Sequence, residues 1–297
     1  MTGKVTKPTL FLTMTCNPKC PKIVDHLCHK QTAADLPNLV ARVFNLKLKA
    51  LIEDIEKEQV CGQVRARIHV IKFQKRGLPH CQLLIWIGDE DVPKTNEKLD
   101  GTISADIPDN VANPKLHAMV MAHMIHGPCS KTINKNSLCM DGGTCTKRFL
   151  KEFRKPYRRR EQRPYTLKRG GKEYIVYNTW VIPYNRYLLL KYDCHMNLEF
   201  CASINIVKYV FKYVYKGHDC ADIKITKGIY GPDEATLIWD EISSFQNSRY
   251  VSAPEACWRI LRFPMSYRYH AIIRLAVHLP LEQSVFFEPG NPLLKSI

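Results

Sequence analysis

His80 and Gln82 stand two residues apart at the start of a strand-like run, Gln82-Leu-Leu-Ile-Trp-Ile87. Residues two apart on a strand project from the same face. An imidazole nitrogen and an amide oxygen placed there can jointly hold a divalent ion. A polar strand edge has the same spacing, so the pattern alone leaves both readings open. Tyr209 and Tyr213 are spaced i, i+4, which stacks two phenols on one helix face. Beside a metal-bound phosphate they could act in turn as nucleophiles, with Lys212 and Lys216 steadying phosphate charge or lowering a phenol pKa. Aromatic packing next to a lysine face is the bland alternative.

A second grouping is His126-x2-Cys129-x9-Cys139-x5-Cys145, one imidazole and three thiols. A closed structural zinc site wants four nitrogen or sulfur ligands, and Gly127, Pro128, Gly142 and Gly143 allow the turns it needs. His123, one helical turn earlier, competes as fourth ligand. The alternative is small buried cysteines lining a loop. Cys16-x3-Cys20, with Cys28 and His29 nearby, reads as structural.

Lys147 to Lys172 holds twelve Lys/Arg against two acidic residues, with Phe149, Phe153, Tyr157 and Tyr165 interleaved. Cations such as Arg154, Lys155, Arg158, Arg159, Arg160 and Arg163 can neutralise phosphates while aromatics stack on unpaired bases. The whole 297-residue chain points the same way: 44 Lys+Arg against 28 Asp+Glu leave +16 and a pI near 9.3. Such an excess favours a polyanion, nucleic acid before an anionic membrane surface. Apolar content of 45% and charged content of 24% are globular values. No apolar run approaches a membrane span. The first twelve residues lack a signal-peptide cleavage site, so twelve cysteines read as reduced thiols of a protein that is not secreted.

These residues need elements to position them. Thr9 to Thr15 reads as a strand, ended by Pro18 and Pro21. Asp35 as N-cap and Pro37 in the first turn open a long helix, whose apolar residues recur every three or four positions from Leu36 to Ile55. Residues 64 to 87 read as a hairpin turning near Arg76-Gly77, and 88 to 113 as loop. Pro114 to His126 has helical spacing, stopped by Gly127-Pro128. Strand-like pieces return at 174 to 181, 188 to 192 and 197 to 201. Ile204 to Lys216 reads as a helix with Ser203 as N-cap and Gly217 at its end. The order predicts an α+β domain around a mostly antiparallel sheet.

Several motifs then join into a resemblance. Phe73 to His80 (Phe-Gln-Lys-Arg-Gly-Leu-Pro-His), Tyr209 to Asp219 (Tyr-Val-Phe-Lys-Tyr-Val-Tyr-Lys-Gly-His-Asp) and His126 to Cys129 (His-Gly-Pro-Cys) look like the replication initiator of Helitron transposons. So do Thr15 to Lys19, Leu39 to Phe44, Ile182 to Asn185 and Arg249 to Ala256. The likeness runs from about residue 8 to the C-terminus. It implies a Helitron helicase-like, HUH-endonuclease-like domain over 8–220 and a C-terminal extension over 221–297 leading toward a helicase; the Cys/His grouping would make a zinc-binding insertion at 123–146. No Gly-x-x-x-x-Gly-Lys-Ser/Thr loop occurs in the chain, so no ATPase is expected in it. The resemblance implies single-stranded DNA at transposon ends as partner and Mg²⁺ or Mn²⁺ at His80 and Gln82. It also implies attack by Tyr209 and Tyr213 on a phosphodiester. Reduced cysteines and a DNA substrate point to the nucleus if the host is a eukaryote.

Departures from the family's pattern bear on activity. Its usual Pro-His-Ala-His is Pro-His-Cys-Gln here, so the second histidine is Gln82. Position 72, opposite His80 in the expected hairpin, is usually Glu and here is Lys72. The ammonium opposes a nearby divalent ion by a few kcal/mol at about 4 Å. The sequence therefore supports an impaired strand transferase, or a non-catalytic single-stranded-DNA-binding remnant or domesticated module.

Overall fold

A computed structural model describes residues 8–73, 77–130, 133–134, 136–149, 164–201, 224–227, 235–238 and 251–268. Leu10–Thr15 (β1) is buried along its whole length, as a strand covered on both faces requires. Pro37–Glu56 (α1) lays Val40, Phe44, Leu48, Leu51 and Ile55 into the main core. Asp35 is not its N-cap. Its carboxylate accepts from the Thr32 backbone N–H and hydroxyl, both at 2.8 Å, and so closes a 3-10 turn over Ala33–Asp35. The reciprocal Thr/Asp capping box spends Asp35 one turn early, and α1 starts at Pro37 behind Leu36.

Val64–Phe73 (β2) and Pro79–Ile87 (β3) form the expected hairpin. Arg186–Tyr192 (α2), Met196–Phe200 (β4), Ala253–Ile260 (α3) and Ser266–Arg268 (β5) follow. The sheet runs β5-β2-β3-β1-β4, each neighbour antiparallel. It is thus an α+β arrangement, a five-stranded antiparallel sheet flanked by helices. On one face α1 and α3 cover Leu10, Leu12, Leu83 and Ile85, with Trp258 of α3 fully buried against Phe44 and Phe73. Buried Asp54 of α1 accepts from Lys191 Nζ at 2.6 Å and Tyr192 Oη at 2.7 Å, which fastens α2 to α1. On the other face Phe11, Ile68, Val70, Leu84 and Trp86 form a smaller apolar cluster. The same face turns polar toward Thr13, Thr15, His80 and Gln82.

Elsewhere the elements differ from expectation. Leu188–Tyr192 is helical, not a strand, because Asn185 caps the segment by accepting from the Leu188 N–H at 3.0 Å. The stretch 88–113 contains a helix, Asn96–Thr102, behind a Thr95 cap. The helix from Pro114 stays α only to Met119 and widens to a π turn over Val120–Met124. Residues 174–181 divide into a hairpin strand, Lys172–Val176 paired with Tyr165–Arg169, and a 3-10 turn at Asn178–Trp180. These pieces share a second core built on Leu116, Val120, Met124, Trp180 and Tyr184. The helix expected over 204–216 lies outside the described residues. No described helix is long and apolar enough to cross a membrane.

Candidate functional site

Sheet register builds the polar end of this second face row by row. Thr15 of β1 pairs with His80 of β3, and His80 with Lys72 of β2. On the other side the Thr15 N–H donates to the His195 carbonyl at 2.9 Å, just ahead of β4. One row therefore reads His195, Thr15, His80, Lys72. The next row on that face reads Asn197, Thr13, Gln82, Val70. His80 and Gln82 do share a face, and Lys72 does lie opposite His80.

Both histidines of the first row are anchored at Nδ1. His80 Nδ1 lies 2.7 Å from Thr15 Oγ1, and His195 Nδ1 lies 2.8 Å from the His123 carbonyl oxygen. A carbonyl only accepts, so the proton of His195 sits on Nδ1 and its Nε2 carries a lone pair. Burial pushes the His80 pKa down to about 4, helped by the charges of His195 and then Lys72. Burial also lowers that of His195 against the raising effect of its bond to His123. Neutral imidazoles are the form that ligates a metal. Gln82 is only 6% exposed, and its Oε1 has no hydrogen-bond partner among the described residues; neither has Asn197 Oδ1. A buried acceptor left unmatched costs about 1–3 kcal/mol. A cation fits that oxygen, so the donor set suits a divalent ion.

Sequence reasoning missed Thr15, His195 and Asn197. His195-x-Asn197 repeats the spacing of His80-x-Gln82, but that spacing does not report the strand with which it pairs.

The Cys/His grouping closes into a cluster. The ligand atoms of His126, Cys129, Cys139 and Cys145 all lie within 4.8 Å of one another. His126 Nε2 is 3.5 Å from Cys129 Sγ and 3.4 Å from Cys145 Sγ, and its ring stacks on Phe149 at 4.1 Å. Gly127, at φ +80°, turns the chain between the first two ligands. A two-residue ladder, Met140–Asp141 on Thr144–Cys145, folds about Gly142 and brings Cys145 back beside Cys139. Burial, reinforced by Cys139 and Cys145, raises the Cys129 thiol. Burial also pulls Cys145 upward, but hydrogen bonds from the backbone N–H groups of Phe149 and Lys147 and from the Cys129 and Cys139 thiols together lower its pKa. Three thiols and an imidazole gathered around one centre form a set of four nitrogen and sulfur donors, and the cluster could hold a metal such as zinc. His123 does not compete for it: its Nε2 bonds Asp193 Oδ1 at 2.8 Å. Cys16 and Cys20 are buried while Cys28 is exposed.

Tyr209, Tyr213, Lys212 and Lys216 lie outside the described residues, as do Arg154, Lys155, Arg158, Arg159, Arg160 and Arg163. Residues 1–85 match the family described as the Helitron helicase-like domain at N-terminus. That span takes in β1, α1, β2 and most of β3, and with them Lys72, His80 and Gln82. No curated protein matches the chain.

Proposed function

The chain is Helitron-related through its first 85 residues, and from that premise we propose that it is the DNA-processing domain of a rolling-circle replication initiator. In this reading the sheet and helices are of HUH-endonuclease type, and His80 and Gln82 hold Mg²⁺ or Mn²⁺. When bound, such an ion polarises a phosphodiester. Tyr209 and Tyr213 are the nucleophiles. A phenol oxygen attacks phosphorus, the bond to the 3′ oxygen breaks, and that oxygen leaves as a 3′-hydroxyl after taking up a proton. The 5′ end stays on the tyrosine as a phosphodiester, and the second tyrosine permits transfer to another strand. Arg158, Arg159, Arg160 and their basic neighbours hold single-stranded DNA through its phosphates. The His126, Cys129, Cys139 and Cys145 cluster holds a structural zinc.

The observation that carries this reading is the orphaned, buried Gln82 Oε1 on the face of His80. A solvated strand edge would leave that oxygen to water. A second reading, a DNA-binding module that does not cut, draws on Lys72 opposite His80, since an ammonium there opposes a divalent ion.

Incubating the chain with a labelled single strand and Mn²⁺, then separating on a denaturing gel, tests both. The first reading expects a covalent protein–DNA adduct, weakened by Lys72, that Tyr209→Phe with Tyr213→Phe abolishes. DNA binding without any adduct at saturating Mn²⁺ supports the second. Absence of both binding and adduct rejects the two together.

A further inference from the structure

We infer that His195 is a third ligand of the divalent-ion site, joining His80 and Gln82 from across β1 and restoring the second imidazole that Gln82 lacks. The inference rests on the reading of His80 and Gln82 as cation ligands.

Register puts His80 and His195 on either side of Thr15. Two strand spacings set their backbones roughly 10 Å apart. Imidazoles approaching from both sides of such a gap can meet one ion, since each metal–nitrogen bond takes up about 2 Å. Both rings are tethered through Nδ1, to the Thr15 hydroxyl and to the His123 carbonyl. Neither Nε2 has a hydrogen-bond partner among the described residues. An imidazole fixed at one nitrogen by an oxygen and bare at the other is how metal-ligating histidines are oriented. Gln82 Oε1, one row along the same face, supplies an oxygen with no other partner.

The row order also bears on Lys72. An ion shared by His80 and His195 sits toward β1, and Lys72 stands on β2, beyond His80. The Lys72 backbone then stands a strand spacing beyond His80 from the ion. The ammonium's repulsion shrinks with that distance, which lets a cation site and Lys72 coexist.

The test uses the full chain, loaded with zinc, and follows Mn²⁺ binding by the loss of the free-ion EPR signal. His195→Asn keeps an amide N–H where Nδ1–H donates to the His123 carbonyl but removes Nε2. His195→Gln places an amide oxygen near the lost Nε2. We expect His195→Asn and His80→Asn each to weaken Mn²⁺ binding at least tenfold, with melting temperature and zinc content held. His195→Gln should recover most of the loss. Bound Mn²⁺ should broaden the ring-proton NMR signals of both histidines in the unaltered chain. If His195→Asn binds Mn²⁺ normally while His80→Asn does not, His195 only supports the fold and the inference fails, leaving the reading of His80 intact. If neither variant changes Mn²⁺ binding, or the unaltered chain binds none, inference and reading fail together. Should His195→Asn unfold, pulsed EPR of Mn²⁺ bound to the unaltered chain decides: nitrogen couplings from one imidazole, not two, overturn the inference.

Discussion

Lys72 stands directly across the β2–β3 ladder from His80. Burial depresses the His80 pKa first, His195 adds to the effect, and the Lys72 ammonium completes the fall to about 4. The residue that opposes a proton on His80 also opposes a divalent ion beside it. The two effects can be measured separately.

Lys72→Glu should therefore raise the His80 pKa, read from the pH dependence of its ring protons by NMR, and tighten Mn²⁺ binding. At about 8 Å a unit charge is worth between roughly 0.5 and 2 kcal/mol, depending on solvent screening. The substitution changes the charge by two units, so a gain of severalfold or more is expected. Adding Gln82→His should increase Mn²⁺ affinity and DNA adduct by an amount that differs from the sum of the single effects, because both act on one ion. An unmoved His80 pKa would show that Lys72 points away.

Acid should destabilise the fold through His80. Its folded pKa of about 4 lies below the ordinary 6.5, so the unfolded chain binds the proton more readily. The contribution is complete above pH 6.5 and is lost as pH falls toward 4. At 1.36 kcal/mol per pKa unit its full size is about 3 kcal/mol. His69, buried beside Arg67 and lowered to about 3, acts in the same direction and extends the loss further into acid. In urea melts between pH 7 and 4, His80→Gln should show a shallower loss than the unaltered chain. Parallel curves would assign the acid sensitivity elsewhere, including to metal loss from the cysteine cluster.

The sheet and its site were legible where pattern is local. Alternation and a turn residue were enough for the β2–β3 hairpin and for Lys72 opposite His80, and helical spacing was enough for α1. The Cys/His spacing picked out four side chains that the fold does bring together. Local patterns failed where a cap decided the outcome. Leu188–Tyr192 is apolar enough for a strand, yet the Asn185 side chain makes it a helix. Asp35 looks like a helix cap, yet Thr32 claims it. His195 and Asn197 escaped for a different reason: they reach the site only through pairing with β1, 180 residues or more away in sequence, and no local spacing reports a partner strand.

Replacing Arg158, Arg159 and Arg160 by Ala should weaken single-strand binding and flatten its salt dependence. Each phosphate contact on a single strand contributes about 0.7 to the slope of log affinity against log salt. Loss of three contacts should lower the slope by roughly two. The effect is one of counterion release, so it should hold whether or not the chain cuts. A weaker complex with an unchanged slope would place the arginines outside the DNA path.

The cysteine cluster should carry one zinc per chain, and Gly127 should be essential to it. Elemental analysis of protein purified without added metal checks the first point. Cys139→Ser should lower the content, and folded protein with almost no zinc would reject the site. The second point follows from backbone geometry. Gly127 has φ +80°, and a Cβ there would lie 2.5 Å from the Cys129 backbone nitrogen and 3.2 Å from the Trp180 ring. Neither the backbone nor a buried indole yields easily, so Gly127→Ala must move Cys129, whose sulfur is 3.5 Å from His126 Nε2. We expect a cost of roughly 1–3 kcal/mol together with reduced zinc content. Gly142→Ala provides the contrast. Gly142 also has positive φ, +54°, but a Cβ there meets nothing within 4 Å, so only the backbone penalty of about 1 kcal/mol applies and zinc should be retained. Equal zinc loss in both variants would mean that the turn, not the contact between Gly127 and Cys129, controls the cluster.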